Sequence, residues 1–262
     1  MGIEGEKRYG LLLACKDSEY VKEVYGGYFN VFVAAFGEEG ERWDLFRVVE
    51  GEFPDMNQLQ NYDGFVVSGS PYDAYGNDFW ILKLCFLLQT LDSMRNKVLG
   101  ICFGHQVWEV PVGAEVIAFS DKTRVEMFII GDHILGIQGH PEYTKDILNN
   151  LIDRLLTNDS IEKGFAEDVK SKLQLAEPDR KLLTLDSLRD KDKLPKSFIL
   201  ILVKSPLRLR TLVHYSFISD SDIFGVNLGL AEIISASRPG HVAPRILFHS
   251  LHFQSNFPNS QY

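Results

Sequence analysis

The pattern of apolar and polar positions over residues 1–182 alternates between strand-like and helix-like segments. Short apolar runs bounded by glycine or polar residues are typical of buried strands. The predicted strands lie at residues 8–14, 42–51, 62–70 and 97–102. Apolar residues at helical spacing behind Asp, Ser or Asn caps predict helices at 17–28 and 77–97. This alternation predicts an α/β domain with a mostly parallel sheet that is covered by helices on both faces.

The predicted elements continue with a hairpin and two helices. Residues 125–139 contain two apolar runs around Gly131 and Asp132, which indicates a hairpin that turns at this pair. Residues 144–158 and 161–175 have the spacing of amphipathic helices. We expect these two helices to close the domain.

The composition of the chain changes after residue 182. Residues 1–182 carry 18 basic and 30 acidic side chains, whereas residues 183–262 carry 9 basic and 6 acidic ones. The apolar runs beyond this point have no clear period, and Pro195 and Pro206 interrupt the longest of them. We therefore predict a domain at 1–182 and a divergent tail at 183–262. The tail is interpreted as poorly ordered or loosely attached, with docking onto the domain or onto a partner as the alternative.

Net charge and cysteine usage exclude several classes of function. A net charge of −9 argues against nucleic-acid binding, which needs a surplus of Lys and Arg. The cysteines at 15, 85 and 102 form neither a disulfide framework nor a metal cluster, and they suit a reducing compartment. No apolar run approaches the roughly 20 residues that cross a bilayer. We expect a cytosolic protein with no metal, no cofactor, no nucleic-acid partner and no membrane span.

Cys102 is the first candidate for catalysis. It stands in LGICFGHQ, directly after an apolar strand and between Gly100 and Gly104. A strand that enters a helix through a tight turn flanked by glycines can project a nucleophile above the sheet edge. The N-terminus of the following helix would favour the thiolate. The alternative is a buried cysteine at a tight strand end.

A possible base lies downstream in QGHPEY. The imidazole of His140 could transfer a proton, and the carboxylate of Glu142 could hold its orientation. The alternative is a capping turn in which Pro141 opens a helix and Glu142 favours its positive end. A strand followed by Gly and Cys, together with a second strand followed by His and Glu, is a pattern that chance seldom supplies. The two motifs together favour a cysteine hydrolase.

A third segment, VVSGSPYDAY at 66–75, ends a predicted strand in Ser-Gly-Ser. Backbone N–H groups of this turn and of Phe103 could stabilise an oxyanion, although a plain Gly/Ser turn is the alternative.

Other reactive or aromatic side chains are assigned to simpler roles. We predict that Cys15 and Cys85 belong to the core, that His105 and His133 lie on the surface or in turns, and that Trp43, Trp80 and Trp108 serve packing.

These motifs resemble the class I glutamine amidotransferase family, and within it the plant γ-glutamyl peptidases. The resemblance rests on YDGFVVSGSPYDAYGNDFWILKL, LGICFGHQ and GIQGHPEY, and it covers most of residues 7–181. It implies a flavodoxin-like α/β fold and a cytosolic enzyme that cleaves γ-glutamyl bonds of glutathione conjugates. It also implies that Cys102 is the nucleophile, His140 the base and Glu142 its orienting partner.

The same resemblance implies a binding site for the γ-glutamyl group. Gln106 in G-x-C-x-G-x-Q would contact this group, and Gly69 and Phe103 would supply the oxyanion hole. Glutamine and a γ-glutamyl peptide share the same acyl half, so one site could serve either reaction.

The interval between Cys102 and His140 departs from the family pattern. It spans 38 residues, which is considerably shorter than in the family, as if two positions containing His-Gln had been joined. The fold is therefore expected to be incomplete here, with a short helix from Phe103 to Glu109 before Pro111 and with weakened stability. Three functions stay open: a γ-glutamyl hydrolase, an impaired or inactive isoform with a binding or regulatory role, and a glutaminase subunit with a separate partner.

Overall fold

The structure, a computed structural model, describes residues 6–108, 113–119 and 123–175. In these ranges seven strands form one sheet in the order β2-β1-β3-β4-β7-β6-β5. The strands are β1 (Arg8–Leu12), β2 (Arg42–Phe46), β3 (Gly64–Val67), β4 (Lys97–Ile101), β5 (Glu115–Ala118), β6 (Met127–Ile130) and β7 (Ile134–Ile137). The first four strands and β7 are parallel, whereas β6 is antiparallel to both β5 and β7. The predicted α/β fold with a mostly parallel sheet is confirmed.

Six α-helices accompany the sheet in the described residues. They are α1 (Glu19–Tyr25), α2 (Tyr28–Phe36), α3 (Phe79–Ser93), α4 (Phe103–Gln106), α5 (Lys145–Thr157) and α6 (Lys163–Leu175). Helix α1 begins where the sequence predicts, because the Ser18 hydroxyl accepts a hydrogen bond from the Val21 N–H, and it ends at Gly26 with φ +73°. The hairpin formed by β6 and β7 and the helices α3, α5 and α6 also agree with the predicted segments.

The pattern analysis did not predict helix α2 and strand β5. The α2 sequence, YFNVFVAAF, is apolar at almost every position, so it has no polar face from which a helical period could be recognised. The predicted strand at 42–51 is too long. Its strand ends at Phe46, and Val48–Glu50 form a 3₁₀ turn that closes at Gly51 with φ +88°.

Alternating strand residues fill two cores, one on each face of the sheet. On one face Phe65, Val67 and Val98 pack against α3. On the other face Val66 and Leu99 join the apolar side chains of α2. A third apolar cluster holds α5 and α6 together and reaches Val21 of α1.

The pairing of β4 with β7 determines where the site lies. The register joins Val98 to Ile134 and continues in parallel to Ile101 and Ile137. The two strands therefore end side by side, and the residues that follow them meet at the same edge of the sheet. Helix α4 is shorter than predicted, because it ends at Gln106 and the chain then continues through the buried residues Val107 and Trp108.

Several predictions fall on parts of the chain that the structure does not describe. The expected end of the helix at Glu109 and Pro111 lies outside the described residues, and so does the tail at 183–262. The division into a domain at 1–182 and a tail therefore stays a prediction. Among the described residues, no helix is long and apolar enough to span a membrane.

Candidate active site

Cys102 occupies a strained turn between β4 and α4. Its backbone has φ +52° and ψ −101°, a region that residues other than glycine rarely adopt. The turn is fixed on both sides, because the Cys102 N–H donates to the Ile137 carbonyl at 2.8 Å and the Cys102 carbonyl accepts from the Gln106 N–H at 2.9 Å. The cysteine is 4% exposed. A strained conformation that the surroundings enforce is typical of a functional position.

The two glycines that flank Cys102 are required by close backbone packing. A Cβ at Gly100 would lie 2.2 Å from the Gly104 carbonyl oxygen, and a Cβ at Gly104 would lie 2.5 Å from the Val67 carbonyl oxygen. Both contacts are with backbone, which cannot rotate away. The glycines of G-x-C-x-G are therefore required sterically, as expected for a tight strand-to-helix turn.

His140 and Glu142 form a buried pair beyond β7. The His140 Nδ1 lies 2.7 Å from Glu142 Oε1, and the two side chains are 0% and 1% exposed. Helix α5 begins only at Lys145, where the Thr144 hydroxyl accepts a hydrogen bond from the Ile147 N–H at 3.2 Å. The alternative in which Pro141 opens the helix is therefore wrong, and Glu142 faces the imidazole instead.

The electrostatics of this pair favour a charged imidazole. Burial by itself lowers the pKa of His140, but the negative charge of Glu142, the proximity of Cys102 and hydrogen bonding to both raise that pKa to about 10. His140 is then protonated at neutral pH and donates from Nδ1 to Glu142. The Tyr143 ring stacks on the imidazole with centroids 4.4 Å apart and planes 11° apart, which keeps the ring in place.

The Ser68-Gly69-Ser70 turn lies at the same edge of the sheet, after β3. The Ser68 hydroxyl accepts from the Ala14 N–H at 2.8 Å, and the Ser70 hydroxyl donates to the Ala14 carbonyl at 2.7 Å. These hydrogen bonds fasten the turn to the end of β1. Because β3 and β4 are neighbouring parallel strands, Gly69 and Phe103 follow strands that end side by side.

Phe103 and Gln106, both on α4, have different surroundings. The Phe103 side chain is fully buried and stacks on Trp80 at 5.5 Å, so only its backbone N–H is available for an oxyanion. The partly buried Gln106 donates from Nε2 to the side-chain oxygen of Gln138 at 3.3 Å. The structure thus brings all six candidate residues to one end of the sheet, on segments that follow β3, β4 and β7.

Sequence reasoning missed Gln138, the first residue after β7. Its side chain is buried, and its Nε2 lies 3.6 Å from the Cys102 sulfur. The signal was present in QGHPEY, two positions before His140, but an amide carries no charge and does not stand out as a catalytic group.

The remaining cysteines and histidines lie as follows. Cys15 is buried in the same apolar cluster as Cys102, and burial, with a smaller effect of Asp17, raises the pKa of its thiol to about 12. Cys85 on α3 is partly buried, and desolvation raises the pKa of its thiol. Both positions agree with the predicted core role.

The prediction that His105 lies on the surface or in a turn is wrong. His105 is 6% exposed, because α4 points it inward against the Phe128 ring at 5.0 Å. His133 lies in the hairpin turn, as predicted, although it is only 5% exposed and its Nε2 lies 2.8 Å from an Asp92 carboxylate oxygen. The described residues contain no group of three or more His, Cys, Asp or Glu side chains that could hold a metal ion.

A mostly parallel sheet with a cysteine at the strained turn after a central strand is the arrangement that the resemblance to the class I glutamine amidotransferases predicts. No family model matches the chain. It is 46% identical over 233 residues to Gamma-glutamyl peptidase 3 of Arabidopsis thaliana, covering 68% of this chain and 94% of that protein. It is 45% identical over 233 residues to Gamma-glutamyl peptidase 5 of the same plant, covering 68% of this chain and 93% of that protein. The chain belongs to the γ-glutamyl peptidase family.

More distant similarities include a putative glutamine amidotransferase of Saccharomyces cerevisiae, 25% identical over 203 residues that cover 54% of this chain and 80% of that protein. Among solved structures, a glutamine amidotransferase from Thermotoga maritima has a TM-score of 0.46 and 17% identity, over 65% of this chain and 94% of the other. A glutamine amidotransferase from Methylobacillus flagellatus has a TM-score of 0.43 and 15% identity, and the match covers 90% of this chain and 97% of the other.

The alignment with Gamma-glutamyl peptidase 3 also shows how much this chain is shortened. Of this chain's 262 residues, 68% is about 178 residues, and these face 233 aligned positions. About 55 aligned positions therefore have no counterpart here. This agrees with a chain that is shorter than its relatives within the matched region.

Proposed function

We propose that this chain is a cysteine hydrolase of γ-glutamyl bonds. The observation that carries the proposal is the buried His140–Glu142 pair beside Cys102, which stands at a strained turn on the neighbouring strand. A cysteine that is paired with a protonated imidazole is the arrangement of an activated thiolate. The names of the relatives support a γ-glutamyl substrate.

In the proposed reaction, the Cys102 thiolate attacks the γ-carbonyl carbon and forms a tetrahedral oxyanion. The backbone N–H groups of Gly69 and Phe103 stabilise this charge, and Gln106 contacts the γ-glutamyl group. The C–N bond then breaks as His140 gives its proton to the leaving amine, which leaves a γ-glutamyl thioester on Cys102. His140 next accepts a proton from water, and the resulting hydroxide equivalent attacks the thioester and releases glutamate. Glu142 holds the imidazole in place throughout.

The proposed substrates are γ-glutamyl peptides, with glutathione conjugates as the first class to test. No cofactor or metal takes part in this scheme. The three cysteines of the chain are free, which supports action in a reducing compartment such as the cytosol.

A second candidate function is a catalytically impaired isoform with a binding or regulatory role. The observations that favour it are the roughly 55 aligned positions without a counterpart and the single turn of helix after Cys102. A helix of four residues gives little support from its own hydrogen bonds and depends on packing for its position.

One experiment separates the two candidates. The purified full chain is incubated with glutathione, a glutathione S-conjugate, and glutamine, and released glutamate and ammonia are measured beside a Cys102→Ala control. The hydrolase proposal predicts glutamate release from the γ-glutamyl peptides that is lost in the control. Ammonia release from glutamine alone would indicate a glutaminase instead. No release from a folded chain would favour the impaired isoform, and release that persists in Cys102→Ala would remove Cys102 from the mechanism.

A further inference from the structure

Gln138 reaches Cys102 because of the β4–β7 pairing. The Cys102 N–H donates to the Ile137 carbonyl, so the residue after Ile137 lies beside the cysteine. The Gln138 N–H donates to the Glu126 carbonyl at 2.8 Å, which anchors its backbone to the neighbouring chain segment before β6. The side chain of Gln138 is thereby directed to the site by hydrogen bonds of the sheet on both sides.

The two ends of the Gln138 amide have different neighbours. The oxygen accepts a hydrogen bond from the Gln106 Nε2 at 3.3 Å, and the nitrogen lies 3.6 Å from the Cys102 sulfur. An N–H group that faces a sulfur atom stabilises a thiolate more than a neutral thiol, because the charged sulfur is the stronger hydrogen-bond acceptor. Gln106 therefore determines which end of the Gln138 amide faces the nucleophile.

We propose that Gln138 is a positioning residue that holds the Cys102 sulfur as a thiolate by a hydrogen bond, with Gln106 fixing the orientation of its amide. Gln138 is 5% exposed, so water does not compete easily for the sulfur. The proposal rests on Cys102 being the nucleophile of the proposed function. It adds a second source of thiolate stabilisation to the charge of His140.

This arrangement also links substrate binding to the nucleophile. In the proposed function Gln106 contacts the γ-glutamyl group, and the same amide hydrogen-bonds Gln138. A substrate that draws Gln106 away leaves the Gln138 amide with only the sulfur as its partner among these contacts. Gln138 thus lies between the residue that binds the substrate and the residue that attacks it.

The test measures the alkylation of Cys102 rather than turnover. The full chain is treated with iodoacetamide at pH values from 5 to 10, and mass spectrometry follows Cys102 and Cys85 separately, with Cys85 as the internal reference. In Gln138→Met, which keeps the length of the side chain but lacks the donor, we expect the pH of half-maximal Cys102 alkylation to rise by about one unit. This corresponds to roughly tenfold slower alkylation at pH values below both midpoints, because one hydrogen bond to a charged group is lost. The control Gln60→Met removes an exposed amide that bonds only the Asn57 carbonyl, and it should leave the profile unchanged.

A second variant keeps the test decisive if Gln138→Met does not fold. Gln138→Glu has the same shape but places a carboxylate beside the sulfur, so we expect a larger rise in the pH of half-maximal alkylation. A purely structural role for Gln138 predicts lower stability with an unchanged pH profile. Profiles of both variants that coincide with that of the unmodified chain would overturn the proposal. Because alkylation needs no turnover, a chain that releases no glutamate but shows the shift would refute the proposed function and leave this inference standing.

Discussion

Replacing Glu142 by Gln tests whether its charge keeps His140 protonated. The substitution keeps the size of the side chain and an oxygen that can accept from the imidazole, but it removes the negative charge. At the observed 2.7 Å, opposite unit charges attract each other by about 6 kcal/mol at an effective dielectric constant of 20. One pH unit corresponds to about 1.4 kcal/mol, so Glu142 can account for a rise of up to about four units in the pKa of His140.

Burial lowers the pKa of His140, and this effect remains after the substitution. We therefore expect the pKa of His140, which is about 10 in the native chain, to fall by about three units in Glu142→Gln. The assay is a titration of the imidazole ring nitrogens by two-dimensional NMR on protein labelled with ¹⁵N-histidine. The resonances of His140 are assigned by their absence in His140→Gln.

The control for this experiment is Glu167→Gln, which removes one exposed carboxylate from α6 and should leave the titration unchanged. A titration midpoint in folded Glu142→Gln within half a pH unit of the native value would refute the electrostatic reasoning. If the reasoning holds, the proposed mechanism also predicts that the alkaline limb of kcat/KM moves to lower pH, because His140 loses the proton that it gives to the leaving amine.

Three further predictions concern the turn, the core and the pH dependence of folding. Gly100→Ala places a Cβ 2.2 Å from the Gly104 carbonyl oxygen, so we expect at least tenfold slower Cys102 alkylation. In the control Gly164→Ala the added Cβ has no neighbour within 4 Å, and the alkylation rate should not change. Equal rates in the two variants would contradict the steric argument. Phe128→Ala should lower the free energy of unfolding in urea by about 3–5 kcal/mol, because the ring is fully buried and packs over Gly136 and His105. The control Phe79→Ala removes an 81% exposed ring and should lower this free energy by less than about 1 kcal/mol. A similar loss in both variants would disprove the assigned packing. The pKa of His140 is raised from 6.5 to about 10, so its contribution to stability is complete below pH 6.5 and is lost as the pH rises towards 10. Urea midpoints should therefore fall more steeply over this window in the native chain than in His140→Gln, and parallel curves would show that His140 contributes nothing.

The motifs of the site could be recognised in the sequence because each has a local cause. Gly100 is needed because of a backbone contact with Gly104, four positions further on, and Gly104 because of one with Val67 of the adjacent strand β3; together they leave a short sequence pattern around Cys102. His140 and Glu142 lie two positions apart, so a single turn brings them together. Helix α5, which has a Thr144 cap and a polar face, could be predicted for the same reason.

Other features depend on contacts that no short segment contains. Helix α2 buries only Val31, Phe32 and Phe36, and its partly or fully exposed positions are almost all apolar too, so its sequence has no helical period. His133 is buried because Asp92, at the end of α3, lies against it, and these residues are 41 positions apart. His105 is buried because it packs against the Phe128 ring of β6, 23 positions further along the chain. Neither burial could be predicted from the local sequence, because each depends on a partner from a distant part of the chain.

The sequence by itself determined the α/β class, the tight cysteine turn and the pairing of His140 with Glu142, because these follow from steric and hydrogen-bonding requirements of short segments. Only the tertiary structure decided that β4 and β7 lie side by side, which brings residues on either side of the 38-position interval into contact. This pairing places His140 near Cys102 and directs Gln138 to its sulfur. Strand pairing is a long-range choice that depends on the burial of the whole sheet, so it leaves no mark in the local pattern of either strand.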